Sequence, residues 1–299
     1  MSRNRLPQCY SSCVPAITSR QNAIVSRFRA AARGESAELL LLDGVHLVAE
    51  ALGAGIRVRE AAMTRETAMT REAEMPKVRP ELAELADRLR RHDVPVATVS
   101  AAVMRAISPV RSPSPVVALA ERPAGAGRRV YRDRPLVIIA IDVQDPGNVG
   151  AIVRVAEAGG ATGVICAGAC ADPFGWKALR GSMGSALRLP ILVHRDVREA
   201  TDEARRHLCR IVATSPRSGR PLFESDLRGP IAVLIGGEGP GLTASHIDAA
   251  DERVMIPIQP PVESLNTAVS AALIVYEARR QRSLNPEGPA KAGHHGLEP

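Results

Sequence analysis

Short continuous runs of apolar residues alternate with helical patterns in the C-terminal half of the chain. Residues 136–141 are apolar at every position, which is typical of a central parallel strand covered on both faces. Further strands are predicted at residues 163–166, 191–194, 211–214, 231–235 and 253–256. A final helix is predicted from Ser264 to Arg282. This alternation predicts an α/β domain with a mostly parallel sheet over residues 134–283.

The N-terminal half shows the same alternation on a smaller scale. A first helix is predicted to begin after a cap at Thr18 or Ser19 and to end at Gly34. Strands are predicted at residues 39–42, 56–62 and 95–99, and helices after Gly44 and over residues 81–91. These elements predict a smaller α/β domain over residues 16–121.

Four segments do not fit either domain pattern. Residues 122–133 are rich in Gly, Ala and Arg and are predicted to form a linker. Residues 1–15 are predicted to be flexible, and residues 284–299 to be a disordered tail. Residues 62–72 contain the string AMTRE twice. A unit of six residues is too short for a repeat fold, so this segment is predicted to be an insertion in a loop.

Composition restricts the class of protein. Apolar residues make up 45% and charged residues 24%, which are ordinary values for a globular chain and exclude a mostly disordered one. No run of about 18 apolar residues and no export signal are visible, so no membrane association is expected. The five cysteines are an odd number without zinc-site spacing. They are expected to be reduced thiols in a cytoplasmic protein.

Charge favours a polyanionic partner such as RNA. The 39 basic residues exceed the 32 acidic ones, giving a net charge of +7. All but three of the basic residues are arginines, which also fits a GC-rich genome, so charge alone does not identify RNA. Aromatic residues are only 2%, which argues against RNA modules that stack bases on a sheet face.

The first loop with candidate chemistry follows the strand at residues 136–141. Residues 145–154 read DPGNVGAIVR. Pro146 and Gly147 make a turn, and Asn148 is predicted to cap the helix that follows. Arg154 lies six positions further on and therefore off the cap face. Taken alone, this loop is equally well explained as an ordinary turn with a solvated arginine.

Two more loops follow later strands. Residues 236–242 read GGEGPGL, so the backbone takes positive φ or approaches something closely there. A phosphate cradle is disfavoured because no Lys-Ser or Lys-Thr follows and because Glu238 would repel phosphate, whereas a neutral or cationic ligand fits. Residues 256–266 read IPIQPPVESLN, with Ser264 as the predicted N-cap and Asn266 in the first helical turn. A tight structural turn is the less favoured alternative for the second loop, and a proline-stiffened helix start is a plausible alternative for the third loop in isolation.

In order and spacing, the three loops together resemble the motifs of the SpoU (TrmH-like) family of RNA 2′-O-ribose methyltransferases in the SPOUT superfamily. The segment at residues 177–190 resembles the part of the family that lies between the motifs. Residues 18–120 resemble, more loosely, the substrate-binding domain often fused ahead of it. Two features depart from the family pattern: Gln259-Pro260-Pro261, where the family often has glycine, and the insertion at residues 62–72.

The resemblance implies a fold, a cofactor and partners. The fold is an α/β architecture whose C-terminal SPOUT domain is tied in a trefoil knot, an exception to the usual rule. The cofactor is S-adenosylmethionine, held largely through backbone groups of Gly236, Ile256 and Leu265. The chain is expected to act as a homodimer with its site at the subunit junction. The expected substrate is rRNA or tRNA, with rRNA slightly favoured.

The resemblance also implies catalytic residues, namely Arg154, Asn148, Glu238, Ser264 and Asn266. A guanidinium pKa above about 12 makes deprotonation costly, so Arg154 is expected to stabilise the developing alkoxide rather than act as a base. The other four are expected to orient Arg154 and the sugar. The positive sulfonium of the cofactor agrees with the acidic residue in the second loop. The arginines of the first helix are expected to bind RNA phosphates; these are Arg20, Arg27, Arg29 and Arg33.

Two other functions remain open at this stage. A nucleotide-dependent oxidoreductase would also show strand-helix alternation and glycine loops, but the first βα unit of the C-terminal domain lacks G-x-G-x-x-G. An RNA-binding protein of the same fold without catalysis would be expected to carry damaged motifs, whereas all three are intact.

Overall fold

The computed structural model describes residues 16–64, 80–239 and 241–284, and the chain divides into two compact units between Arg122 and Pro123. The predicted flexible segment 1–15 and the tail from residue 285 lie outside the described residues, as does most of the insertion at residues 62–72. Leu284, expected in the tail, ends the last helix instead. No described helix is both long and apolar enough to cross a bilayer.

The first unit contains a four-stranded sheet with strand order β1-β4-β2-β3. Its strands are β1 (Leu39–Asp43), β2 (Val58–Thr64), β3 (Val96–Val99) and β4 (Val116–Glu121). Its helices are α1 (Ala23–Ala32), α2 (Val45–Gly53), α3 (Pro80–Arg91) and α4 (Ala101–Ile107). Strand β4 pairs antiparallel with β1 and β2, while β2 and β3 are parallel. The sequence pattern missed β4 and α4, although five of the six residues of β4 are buried.

The second unit contains a seven-stranded sheet with strand order β7-β6-β5-β10-β8-β11-β9. Its strands are β5 (Leu136–Ile141), β6 (Gly163–Ala167), β7 (Ile191–His194), β8 (Arg210–Thr214), β9 (Arg220–Pro221), β10 (Ile231–Gly236) and β11 (Glu252–Met255). Its helices are α5 (Pro146–Gly159), α6 (Trp176–Ser182), α7 (Val197–Arg206), α8 (Ala244–Asp248) and α9 (Thr267–Leu284). Every strand pairing is parallel, so the predicted class is confirmed.

Strand β5 is buried on both faces of this sheet, which explains its uninterrupted apolar sequence. Val137, Ile139 and Ile141 belong to a core cluster that includes residues of α7, and successive side chains alternate between the two faces of the sheet. The knot implied by the resemblance stays a prediction, because strand order and register define neighbours and not threading.

Part of the segment expected to be a linker belongs to the core of the second unit. Gly127–Tyr131 forms a 3-10 turn in which Val130 and Tyr131 are buried. The Tyr131 ring stacks on His207 with centroids 4.1 Å apart. The linker prediction over residues 122–133 is therefore wrong for this turn. The many small residues and arginines of the segment made its two buried side chains, Val130 and Tyr131, easy to overlook in the sequence.

The helix starts also differ from those predicted. Asn22 caps α1 in place of Thr18 or Ser19. Asp145 caps α5, since its Oδ1 accepts the Asn148 backbone N–H at 2.9 Å, and Asn148 is not the cap. The last helix begins at Thr267, and Asn266 rather than Ser264 accepts the first free N–H groups. These shifts leave the Asn148 amide available for contacts outside its own helix.

Glycines allow α5 to pack unusually closely on α6 and α9. A Cβ built at Gly150 would lie 2.4 Å from the Ala178 carbonyl oxygen in α6. A Cβ at Gly159 would lie 2.1 Å from Val275 Cγ1 in α9. Because real Cβ atoms never approach so closely, both contacts require glycine. Helix α5 is thus held between the segment connecting the motifs and the closing helix.

Replacing Gly150 with Ala is expected to destabilise the second unit by about 1–3 kcal/mol, since the new methyl group meets backbone rather than a movable side chain. The gain of about 1 kcal/mol that Ala normally brings to a helix interior is not enough to offset this clash. Urea unfolding followed by circular dichroism measures the change. Gly229→Ala is the control, because nothing lies within 4 Å of its Cβ position. Equal stability of both variants would contradict the close packing.

Candidate active site

A cavity of about 380 Å³ lies at the carboxyl ends of strands β8, β10 and β11. Its walls come from residues 214–216, from the glycine-rich loop after β10, and from residues 256–258 and 264–267. These strands are neighbours in the parallel sheet, so the loops that follow them emerge at the same edge. The sheet order thereby places segments distant in sequence around one space.

Most of the predicted site residues line this cavity. Gly236, Ile256 and Leu265, predicted to hold the cofactor, all contribute to its wall. The predicted catalytic residues Glu238, Ser264 and Asn266 line it as well. Ser264 contributes an exposed side chain there instead of the helix cap that the sequence suggested.

Asn148 connects two of the lining loops by hydrogen bonds. Its Nδ2 donates to Glu238 Oε1, and its Oδ1 accepts from Asn266 Nδ2 at 3.0 Å. Asn266 Oδ1 in turn accepts the backbone N–H of Ala268 at 2.9 Å. An ionised carboxylate can only accept, so Glu238 fixes which end of the Asn148 amide faces it, and Asn148 then fixes Asn266. The side chains of Glu238, Asn148 and Asn266 therefore form a hydrogen-bonded chain with fixed donor and acceptor directions.

Arg154 is not brought into this group. It lies on the exposed surface of α5, and none of the described residues forms a hydrogen bond or ion pair with its side chain. The expectation that Asn148, Glu238, Ser264 and Asn266 orient Arg154 is therefore not met by contacts within the described part of this chain.

Thr267 is a residue of the site that the sequence analysis missed. It lines the cavity, is buried, and its Oγ1 donates to the Gly236 carbonyl oxygen at 3.3 Å. This bond joins the start of α9 to the end of β10. A signal was available, because Thr267 shares the buried face of α9 with Ala271 and Ile274 at helical spacing.

The glycine-rich loop folds back on itself and on the first loop. A Cβ at Gly236 would lie 2.4 Å from the Gly241 carbonyl carbon, and one at Gly237 would lie 2.1 Å from the Asp142 carbonyl oxygen. Gly239 and Gly241 have φ of 90° and 65°, where other residues are strained. The close approach indicated by the sequence is thus between backbone segments, and it shapes the cavity wall.

The Cys170 thiol contacts the backbone at the end of β5, just before the first loop. Cys170 Sγ accepts the Val143 backbone N–H at 3.3 Å and lies 3.2 Å from the Ala140 carbonyl oxygen. The Cys166 thiol donates to Cys170, which lowers the pKa of Cys170 and raises that of Cys166. Cys166, Cys170 and Cys209 are all free thiols, as expected for reduced cysteines.

The electrostatics of the cavity suit a cation better than an anion. Glu238 is the only ionisable side chain among the described residues that line it. The remaining polar groups are hydroxyls, amides and backbone groups. A volume of about 380 Å³ also falls in the range of small-molecule sites, about 300–1,000 Å³. The cavity therefore fits a positively charged cofactor without phosphate.

Comparison with known families identifies both units. Residues 135–276 match the model of the SpoU rRNA Methylase family, and residues 29–118 match that of an MRM3-like substrate binding domain. An uncharacterized tRNA/rRNA methyltransferase of Synechocystis is 33% identical over 279 residues, which are 91% of this chain and 96% of that protein. A 23S rRNA (uridine(2479)-2′-O)-methyltransferase of Streptomyces viridochromogenes is 37% identical over 57% of this chain and 62% of its own length.

Solved structures agree with these matches. The SpoU methyltransferase AviRb of Streptomyces viridochromogenes, in complex with AdoMet, has a TM-score of 0.76 at 30% identity and covers 88% of this chain and 99% of its own. The AdoMet-bound rRNA methyltransferase of Sinorhizobium meliloti has a TM-score of 0.74 at 27% identity, over 89% of this chain and 97% of its own. Family, loops and cavity lead to one assignment: the chain belongs to the SpoU family of RNA methyltransferases.

Proposed function

We propose that this methyltransferase, which transfers a methyl group from S-adenosylmethionine to a ribose 2′-OH of RNA, acts on ribosomal RNA. The observation that carries the proposal is that two motif loops line one cavity while Asn148 of the first motif loop is hydrogen-bonded to both, through Glu238 and Asn266. Relatives support rRNA over tRNA, since those of Bacillus subtilis and Streptomyces viridochromogenes are named as 23S rRNA 2′-O-methyltransferases. A cytoplasmic location follows from an rRNA substrate.

The residues present fit S-adenosylmethionine. Gly236, Ile256 and Leu265 would hold it in the cavity, where no described lining residue is cationic. When bound, this cofactor supplies a methyl group on a positively charged sulfonium. Glu238 stabilises positive charge in the cavity by its carboxylate, and Thr267 keeps the Gly236 carbonyl in place by its hydrogen bond.

Asn148 and Asn266 orient the sugar. The methyl carbon must be attacked in line by the 2′-oxygen, and alignment within about 3–3.5 Å supplies roughly 7–11 kcal/mol of the barrier. An amide that is already fixed by Glu238 and Asn266 loses little entropy when it binds a hydroxyl. The exposed Ser264 hydroxyl at the same cavity adds a further hydrogen-bonding group for the ribose.

Arg154 stabilises the developing alkoxide and contacts the adjacent phosphate. Its exposed position on α5 supports an action across a subunit junction, where it would complete the partner subunit's cavity. Helix α9, which packs on α5, has a stripe of exposed apolar side chains at Val269, Leu273 and Tyr276. Such a stripe at helical spacing suits a two-fold contact between copies of the chain. The active form is thus proposed to be a homodimer.

The first unit binds the RNA substrate. Its match to a substrate binding domain supports this role, while the arginines of its first helix contribute less than expected. Arg27 forms two hydrogen bonds with Glu60, and Arg33 forms two with Glu35. Arg29 donates to the Ala106 carbonyl oxygen. Phosphate binding by this set therefore falls mainly to Arg20.

Replacing Arg154 with Ala is expected to lower kcat by about 10²–10³, the loss typical of one group that stabilises a developing oxyanion. RNA is taken from cells that lack the gene, after either the wild-type gene or the Arg154→Ala gene has been supplied to them. Mass-spectrometric mapping is expected to find one rRNA 2′-O-methyl group that depends on the wild-type gene, and no change in tRNA.

Arg228→Ala is the control for this experiment, since Arg228 is an exposed arginine paired with Asp226 away from the cavity. Near-wild-type methylation by a folded Arg154→Ala protein would contradict the role assigned to Arg154. A gene-dependent methyl group in tRNA alone would overturn the choice of rRNA.

Replacing Thr267 with Ala is expected to raise the Kd for S-adenosylmethionine about two- to tenfold, because one hydrogen bond to the cofactor loop contributes about 0.5–1.5 kcal/mol. Thr267→Ser keeps the hydroxyl and is expected to restore the affinity. Isothermal titration calorimetry measures both. Equal weakening in the two variants would assign the effect to packing instead of the hydrogen bond.

Replacing Leu273 with Glu is expected to convert the dimer into a monomer, since the charge would be buried without a partner at the junction. Light scattering after size-exclusion chromatography gives the mass of each form. Leu208→Glu serves as the control, because Leu208 is 85% exposed and lies outside the α9 stripe. An unchanged mass for Leu273→Glu would place the dimer contact elsewhere.

A further inference from the structure

A second cavity, of about 760 Å³, lies beside the cofactor cavity in the second unit. Helix α8 contributes to both, since Ile247 lines the cofactor cavity while Ser245 and His246 line the second one. The family motifs that carry methyl transfer contribute nothing to its wall, which comes mainly from α8 and from the start of α7. This second cavity therefore has no role in the reaction described above.

Two arginines without an acidic partner among the described residues line the second cavity. Arg195 and Arg198 are both exposed, and neither guanidinium group forms an ion pair or hydrogen bond with any described residue. The two carboxylates in the wall already have backbone partners. Asp142 Oδ1 accepts the Ala169 N–H at 2.7 Å, and Asp196 Oδ1 accepts the Arg198 N–H at 2.8 Å. Because a backbone hydrogen bond does not remove the charge of either carboxylate, phosphate binding rests on the planar donor forks of the two arginines, which have no partner among the described residues.

The deep part of the second cavity is apolar and contains an unsatisfied nitrogen. Ile211 and Leu234 contribute to the wall and are only 1% and 2% exposed. His246 Nδ1 is buried without a hydrogen-bond partner among the described residues. These buried groups leave a ligand almost no surface, so the part of the cavity that is open to one is its exposed rim, which includes Arg195, Arg198 and Ser245.

We propose that this second cavity binds one nucleotide of the RNA substrate outside the reaction centre. Its phosphate lies on Arg195 and Arg198, at the exposed rim between the start of α7 and helix α8. The inference rests on the proposed function only in taking RNA as the ligand. Because α8 lies between this cavity and the cofactor cavity, a nucleotide held here would position the RNA relative to the methyl donor.

The double variant Arg195→Ala/Arg198→Ala tests the phosphate contact. A fluorescein-labelled single-stranded RNA of 20 nucleotides is the probe, and fluorescence anisotropy gives its Kd over a range of salt concentrations. We expect the double variant to bind RNA more weakly, with a slope of log K against log salt that is smaller by about 0.7, the value for one phosphate on a single strand. The Kd for S-adenosylmethionine is expected to stay unchanged.

Arg206→Ala is the matched control, because Arg206 is an exposed arginine at the other end of the same helix. It is expected to keep the RNA affinity and salt slope of the wild type. Thr201→Trp tests occupancy separately, since it fills the cavity mouth without a change of charge and is expected to weaken RNA binding too. Circular dichroism and S-adenosylmethionine affinity verify that each variant folds.

RNA binding by both cavity variants that equals that of Arg206→Ala would overturn the inference, as would a wild-type chain that does not bind the probe. Calorimetry with GMP distinguishes a free nucleotide from a nucleotide of RNA as the ligand of the second cavity. Loss of GMP binding in the double variant with unchanged RNA binding would assign the cavity to a free nucleotide and overturn its role in RNA. Methyl transfer is not measured in these experiments, so their failure is distinct from failure of the proposed reaction.

Discussion

The side-chain amide of Asn148 holds the active site together, since it bonds to Glu238, 90 residues away, and to Asn266, 118 residues away. Both bonds require that the loops after β5, β10 and β11 reach the same edge of the sheet. The parallel order of these strands meets that requirement without any further device. Asp145 adds to it by capping α5, which leaves the Asn148 amide to act between loops.

Close packing of α5 against α9 also stabilises the positions of Asn148 and Asn266. Asn148 lies in the first turn of α5 and Thr267 begins α9, and the two helices also touch at Gly159 and Val275. Because Gly159 has no side chain, the Val275 side chain packs directly on the backbone of α5, while the Asn148–Asn266 hydrogen bond joins the starts of the two helices. Pre-organised amides of this kind stabilise a reacting group at little entropic cost.

Helix α8 lies between two cavities of the second unit that are lined by different charged side chains. On one side, the cofactor cavity has Glu238 as the only ionisable lining residue that the structure describes, which suits a sulfonium. On the other side, Arg195 and Arg198 have no acidic partner among the described residues and are the proposed contacts for a phosphate. The proposed sites for two ligands of opposite charge thus lie on either side of the same short helix. This separation is consistent with an enzyme that must bring a cationic donor to a polyanion.

Local pattern by itself determined the parallel α/β class, most strands of the second unit and the three motif loops, because both hydrophobic periodicity and motif spacing are properties of neighbouring residues. Tertiary structure alone decided which of those residues meet. It joined Asn148 to Glu238 and Asn266 and recruited Thr267. It left Arg154 on the surface and put Tyr131 into a core. Partners 90 or 118 residues apart depend on the order of strands in the sheet, and no local pattern encodes that order.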